Sequence, residues 1–240
     1  MEDGVDCSWA LNCLVGSATQ RQGSHSGSTL LFTGLFTPVL GVNGTYFRLG
    51  WVLTPLTGVL LGPIAGGVSC MIAGLMELLI GFQVSQPFGV FSPFRAFLSA
   101  FLSGSLGRGR WKTALTVHGL LIVSWVLLPS GREAIAVVPF YLLGFFFIVF
   151  FRSRLGAYVD SSSWSEIAFG IAIVSYCGNI ARHLLGNILL VLLADMPSIV
   201  FITAIPFTFI EQVTFTAAST ILGVALTRTR LRELTDLSTL

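Results

Sequence analysis

Residues 166–194 read EIAFGIAIVSYCGNIARHLLGNILLVLLA. The run is long enough to cross a hydrocarbon core as one helix, which takes about 20 apolar residues. Yet Arg182 and His183 sit side by side within it, flanked by Asn179 and Asn187. Ser175, Asn179, Arg182 with His183, and Gly186 with Asn187 recur every three or four residues and so share one helical face. The other faces carry Ile, Leu, Val and Ala. A charge at membrane depth is expensive and normally faces protein or a wet cavity, beside a partner. This stripe is therefore expected to point inward.

The following segment supplies a candidate partner. It contains IPFTFIEQVTFTAAST, residues 205–220, with Glu211 and Gln212 deep in an apolar run. Asp195–Met196–Pro197 joins the two segments and makes them antiparallel. Arg182 lies about 12 residues, roughly 18 Å, before Ala194, and Glu211 about 14 residues, roughly 21 Å, after Pro197. The depths match within a turn, so Glu211 is expected to pair with Arg182 or His183. Thr203 and Thr214 are expected on the same face as Glu211. Pro206 predicts a local break in this last helix. Such a pair either locks two helices together or lines a substrate pocket or proton path.

The rest of the chain fits this picture. Of 240 residues, 54% are hydrophobic and 10% charged, and the mean hydropathy is +0.85. Soluble domains are nearer a quarter charged. The continuous apolar runs differ from the ~10-residue alternating strands of a transmembrane barrel. The expected class is an all-α, polytopic integral membrane bundle of six to eight transmembrane or partial helices. A net charge of +2 with no basic, aromatic-interleaved patch gives no reason to expect nucleic acid. Cys7, Cys13, Cys70 and Cys177 form no CxxC pair and imply neither a metal site nor a disulfide framework. No cofactor is called for.

Apolar segments fall at residues 28–41, 46–61, 63–82, 93–106, 113–129, 135–151, 166–194 and 198–227. Residues 1–26 read as a flexible polar extension, 27–230 as one transmembrane domain and 231–240 as a short cytoplasmic tail. Three basic clusters orient the helices: Arg108, Arg110 and Lys112; Arg152 and Arg154; Arg228, Arg230 and Arg232. Two helices separate each cluster from the next, so all three fall on one face. The positive-inside rule makes that face cytoplasmic and puts both termini inside. A multi-pass location in the cell membrane follows. Arg132 falls outside, beside Glu133.

A second polar set falls near the outer face: Arg48, Glu77 and Arg95, with Asn43, Tyr46, Ser85 and Gln86. These are either interfacial anchors or the mouth of an outward-facing site. In the second case, two arginines and one glutamate would favour an anionic or zwitterionic ligand. The loop QVSQPFGVFSP, residues 83–93, is either a connector or a cover over a cavity. His118 stands alone in its segment and reads as a hydrogen-bonded helix contact.

Residues 46–81 read YFRLGWVLTPLTGVLLGPIAGGVSCMIAGLMELLIG, and residues 93–112 read PFRAFLSAFLSGSLGRGRWK. Together they resemble the substrate-binding S components of energy-coupling factor transporters. The likeness lies in a Gly-containing helix, a Gly62–Pro63 hinge, a small-residue-rich helix and an acidic Glu77 near its end. A small-residue helix closing on a basic turn comes next. The resemblance implies a subunit that captures a vitamin-like molecule or metal from the outer face, working with a transmembrane scaffold and ATPase subunits. The first apolar segment departs from that pattern: it has no alanine, and its small residues are Gly34, Gly41 and a few Ser and Thr such as Thr37.

Substrate contacts are accordingly expected among Arg48, Glu77, Gln86, Arg95, Asn179, Arg182, His183, Asn187 and Glu211. The sequence holds no HExxH and no adjacent glutamate pair, and no DxxD falls in its apolar segments, so no catalysis is expected. The competing reading is a structural or assembly subunit of a membrane complex, with its polar stripes packed shut. An intramembrane enzyme is a more distant alternative.

Overall fold

The computed structural model describes residues 36–38, 46–79 and 89–237, with side chains for 50–79 and 90–227. The N-terminal extension 1–26, most of segment 28–41 and the loop residues 80–88, which include Gln86, lie outside the described residues. The chain divides into two units, Met1–Gly50 and Trp51–Leu240. In the first, β1 (Phe36–Pro38) pairs antiparallel with β2 (Tyr46–Arg48), Phe36 opposite Arg48. This corrects the helical expectation for residues 36–38 and 46–48.

The second unit is all-α among its described residues. Its long helices are α1 (Leu49–Leu61, whose first two residues belong to the first unit), α2 (Pro63–Leu79), α3 (Ser92–Gly107) and α4 (Trp111–Leu127). After the short α5 (Pro129–Glu133) come α6 (Val138–Phe151), the short α7 (Leu155–Val159) and α8 (Trp164–Ala194). The last segment is broken into α9 (Ser198–Thr203) and α10 (Ile205–Leu237). Pro206 cannot donate a backbone hydrogen bond, and the break falls just before it, at Ala204. The short helices α5 and α7 occupy stretches that hydropathy alone treats as connectors.

Glycines bring the first three helices together. Gly62, at φ +92°, ends α1, and Pro63 begins α2. A Cβ on Gly104 of α3 would sit 2.6 Å from the Gly58 carbonyl oxygen and 2.7 Å from Pro63 N. The backbones of α1 and α3 approach this closely only because neither glycine carries a side chain.

Helix α8 is the central post. It packs against α3, α4, α6, α7 and α10. At its end Asp195 adopts the left-handed conformation, at φ 46°, and Pro197 follows. One part of the core joins Trp125, Tyr141, Ile180, Leu184 and Phe201. Another joins Leu102, Leu106, Ile148, Val174 and Cys177.

The ends of the bundle differ. At one end the α3–α4 and α6–α7 turns meet, with Arg152 over the Trp111 ring at 5.4 Å. At the other, Ser198 Oγ donates to Glu133 Oε2 at 2.7 Å, tying α9 to α5. Between the ends, Ile64, Met76 and Leu79 on α2, Leu127 on α4, Phe150 on α6, and Ile210 and Ile221 on α10 are each more than half exposed. Arg95, His118, Asn179, Arg182 and Gln212 are buried instead. Two helices, Trp164–Ala194 and Ile205–Thr227, are long and apolar enough to cross a membrane by length and composition.

Candidate functional site

Side chains from α1, α3, α8 and α10 converge on Arg182, which is 2% exposed. Its Nη2 lies 3.7 Å from Glu211 Oε1 on α10. This is an ion pair at longer than hydrogen-bond range. Its guanidinium carbon lies 4.4 Å from the centroid of the Trp51 ring on α1 and 5.6 Å from that of Phe215 on α10. A guanidinium over an aromatic face gains cation–π attraction, more so where water is excluded.

Arg95 enters from α3. Its Nε donates to the Arg182 carbonyl oxygen at 3.4 Å, and its guanidinium lies 6.0 Å from the Trp51 ring. Gly186, one turn beyond Arg182, leaves the room. A Cβ at Gly186 would meet three atoms of the Arg95 guanidinium at 2.9–3.0 Å. Arg95 is thus part of the Arg182 cluster, which corrects its assignment to a separate outer set. Trp51 and Arg95 are near the starts of α1 and α3, whereas Arg182 is 12 residues before the end of α8. The starting ends of α1 and α3 therefore lie partway along the central helix.

Beyond Arg182 the polar contacts continue toward α6. His183 Nε2 lies 3.3 Å from Thr208 Oγ1. Asn187 Nδ2 donates to Tyr141 Oη at 2.7 Å, and His118 Nε2 lies 3.0 Å from the Tyr141 carbonyl oxygen. His118 is therefore a helix-to-helix contact, as its isolation in the sequence suggests.

Toward the basic end the stripe changes character. Helix α3 runs antiparallel to α8, with Arg95 at the level of Arg182 and Ser103 Oγ donating to the Val174 carbonyl oxygen at 3.2 Å. This register puts Ser99 level with Asn179. On α10 the pairs Arg182–Glu211 and His183–Thr208 put Gln212 level with Asn179, and Thr216 level with Ser175. Ser99 Oγ, Ser175 Oγ, Thr216 Oγ1 and both polar atoms of Asn179 and of Gln212 have no hydrogen-bond partner among the described residues. Arg182 Nε and His183 Nδ1 are in the same position. More than nine-tenths of buried polar groups are normally paired, so this concentration on three facing helices is unusual. Leu56, Ile167 and Ile171 pack together below it. The result is a buried column of polar groups, with Arg182 at one end and aliphatic side chains at the other.

Comparison with known proteins adds one relative. The chain is 26% identical over 164 residues to an uncharacterized protein of Methanocaldococcus jannaschii, covering 68% of this chain and 55% of that protein. The chain thus spans about half the length of the relative it matches. No known family model matches it, and no solved structure does.

The other expected positions fall as follows. Glu77 is partly buried near the end of α2. Arg48 is in β2, and its side chain is outside the described residues, as is the whole of Gln86. Thr203 and Thr214 are exposed, which corrects their placement beside Glu211. The buried face of α10 centres on Thr208, Gln212, Phe215 and Ser219. Glu211 lies at its edge, and Thr214 falls beyond that edge.

Sequence reasoning also missed Trp51, Ser99, Tyr141 and Thr208. Only the three- and four-residue recurrence of Thr208, Gln212, Phe215 and Ser219 could have found one of them. Among the described residues no three of His, Cys, Asp and Glu come together as a metal site. A groove of about 490 Å³ runs along α8 and α10, lined by Ala172, Tyr176, Gln212 and Ala217 among others, and it is almost wholly apolar.

Proposed function

We propose that this chain is a multi-pass membrane protein that captures a small anionic or zwitterionic solute from the outer face and performs no chemistry on it. The column of buried, unpaired polar groups headed by Arg182 carries the reading. A buried stripe of unpaired hydroxyl and carboxamide groups is costly unless something polar fills it. Arg95 and Arg182 at its head suit a carboxylate or phosphate. Asn179, Ser175, Ser99 and Gln212 below suit an uncharged polar portion.

The membrane setting is supported by the exposed apolar side chains on α2, α4, α6 and α10, together with polar groups turned inward. A soluble protein rarely exposes so much contiguous apolar surface. The juxtaposed Arg108–Lys112 and Arg152–Arg154 turns agree with one cytoplasmic end. On this reading six to eight helices cross or enter the bilayer. The likeness of residues 46–112 to energy-coupling factor S components fits solute capture and suggests a scaffold and ATPases as partners.

A second reading also has an observation behind it. Arg182 is 2% exposed and stacked on Trp51, so the cluster could serve as a sealed lock in an assembly subunit. Native mass spectrometry of the purified protein separates the two. Solute capture predicts a co-purifying small molecule that is lost in Arg182→Gln. A lock predicts none in either protein.

A further inference from the structure

The basic end of the bundle carries a feature that solute capture does not use. The α3–α4 turn presents Arg108, Arg110 and Lys112, and the α6–α7 turn presents Arg152 and Arg154. All five are exposed. The two turns touch, since a Cβ on Gly156 would lie 3.2 Å from Gly109 N. Trp111 is shared between them: Lys112 Nζ lies 5.8 Å, and the Arg152 guanidinium 5.4 Å, from its ring centroid. Among the described residues none of the five cations forms an ion pair with a carboxylate. Glu166, the acid nearest in sequence after Asp160, instead accepts a hydrogen bond from Ser161 Oγ.

Exposed apolar side chains border this patch. Leu61 is next to Gly62, whose Cβ position lies 3.5 Å from Arg108 Nη2. Phe150 is two residues before Arg152 and 75% exposed. Unpaired guanidinium groups, an interfacial tryptophan and an adjoining apolar wall match the parts of a phospholipid. The cations would take the phosphate, Trp111 would sit at headgroup level, and Leu61 and Phe150 would meet the acyl chains.

We infer that the joined α3–α4 and α6–α7 turns form a docking site for an anionic phospholipid of the cytoplasmic leaflet. The inference rests on the membrane placement proposed above and is independent of the polar column. The lipid would brace the two turns against each other from the membrane side. Each basic residue at a membrane surface contributes about 1 kcal/mol, roughly fivefold in partitioning. Removing Arg110 and Arg152 together should therefore weaken retention roughly 25-fold.

The full chain is placed in nanodiscs of dioleoylphosphatidylcholine with or without dioleoylphosphatidylglycerol, and thermal unfolding and retained lipid are read. The expected result is a higher unfolding midpoint with phosphatidylglycerol and its preferential retention by native mass spectrometry. Both are lost in Arg110→Gln/Arg152→Gln and kept in Arg132→Gln, which removes a cation at the opposite end. Equal retention of the two lipids, or a preference that survives the double substitution, would overturn the site. So would an equal stabilisation by inorganic phosphate in detergent, or an acidic protein partner lost in the double variant without any lipid preference. Any of these leaves the membrane placement standing, because that placement is read from whether the protein enters the nanodisc at all.

Discussion

Arg182 Nη2 and Glu211 Oε1 lie 3.7 Å apart between two antiparallel helices, in side chains only 3% and 18% exposed. Removing one partner of such a pair strands the other. Glu211→Ala is expected to lower stability by about 3–5 kcal/mol, the scale for breaking a buried pair. Replacing both with apolar residues of similar size, as in Arg182→Met/Glu211→Met, should recover most of that loss. Unfolding in detergent measures both. A double variant as unstable as the single one would mean that the pair does not act as a unit.

The room above Gly186 is a second testable feature. Gly186→Val places carbon atoms where the Arg95 guanidinium lies. Overpacking of this kind typically costs about 1–3 kcal/mol. Trimming the obstructing side chain, in Gly186→Val/Arg95→Ala, should relieve much of the cost. A non-additive double-mutant cycle, read from unfolding midpoints, is the expected outcome.

Tyr141 and Asn187 give a third, smaller effect. Their 2.7 Å hydrogen bond joins α6 to α8. Coupling energies for hydrogen bonds between membrane helices average about 0.6 kcal/mol and reach about 1.7. A Tyr141→Phe/Asn187→Leu cycle is expected within that range. A coupling near zero would place the bond outside the energetics of the bundle.

The α1–α3 approach gives a fourth. Gly104→Val should force the two backbones apart and lower the unfolding midpoint, because the added carbons meet the backbone at Gly58 and Pro63. The same change at Gly109, where a Cβ meets nothing within 4 Å, strains only a positive φ of 69° and should cost less. A Gly109→Val loss equal to that at Gly104 would contradict the tight-packing account.

The Arg182–Glu211 pair was legible in the sequence because two antiparallel helices share one turn, so residue counts convert directly to depth. Most helix boundaries were legible to within a few residues because apolar runs end at Gly, Pro or basic clusters, but α10 continues through the Arg228–Arg232 cluster to Leu237, ten residues past the expected end at 227. Arg95 was not, because its position near the start of α3 says nothing about where that start falls along α8. Only the shortness of α1 and α3 beside the longer α8 carries that information, and it becomes clear only once they pack. Thr203 and Thr214 misled for a related reason. Glu211 sits at the edge of the buried face and not at its centre, so neighbours chosen by their spacing from Glu211 fall outside. The ribbon at Phe36–Pro38 and Tyr46–Arg48 was hidden because both stretches lie in apolar runs that read as helical.

Whether the column below Arg182 is wet from the outer face is the central question, and cysteine accessibility answers it most directly. With the four native cysteines replaced, Asn179→Cys and Ile180→Cys are labelled in proteoliposomes with a charged, membrane-impermeant thiol reagent. Asn179 belongs to the polar stripe, and Ile180 packs into the apolar core. The account predicts that Cys at 179 reacts from the outer side much faster than Cys at 180. Equal and negligible labelling at both positions from the outer side would mean a sealed lock and would contradict solute capture.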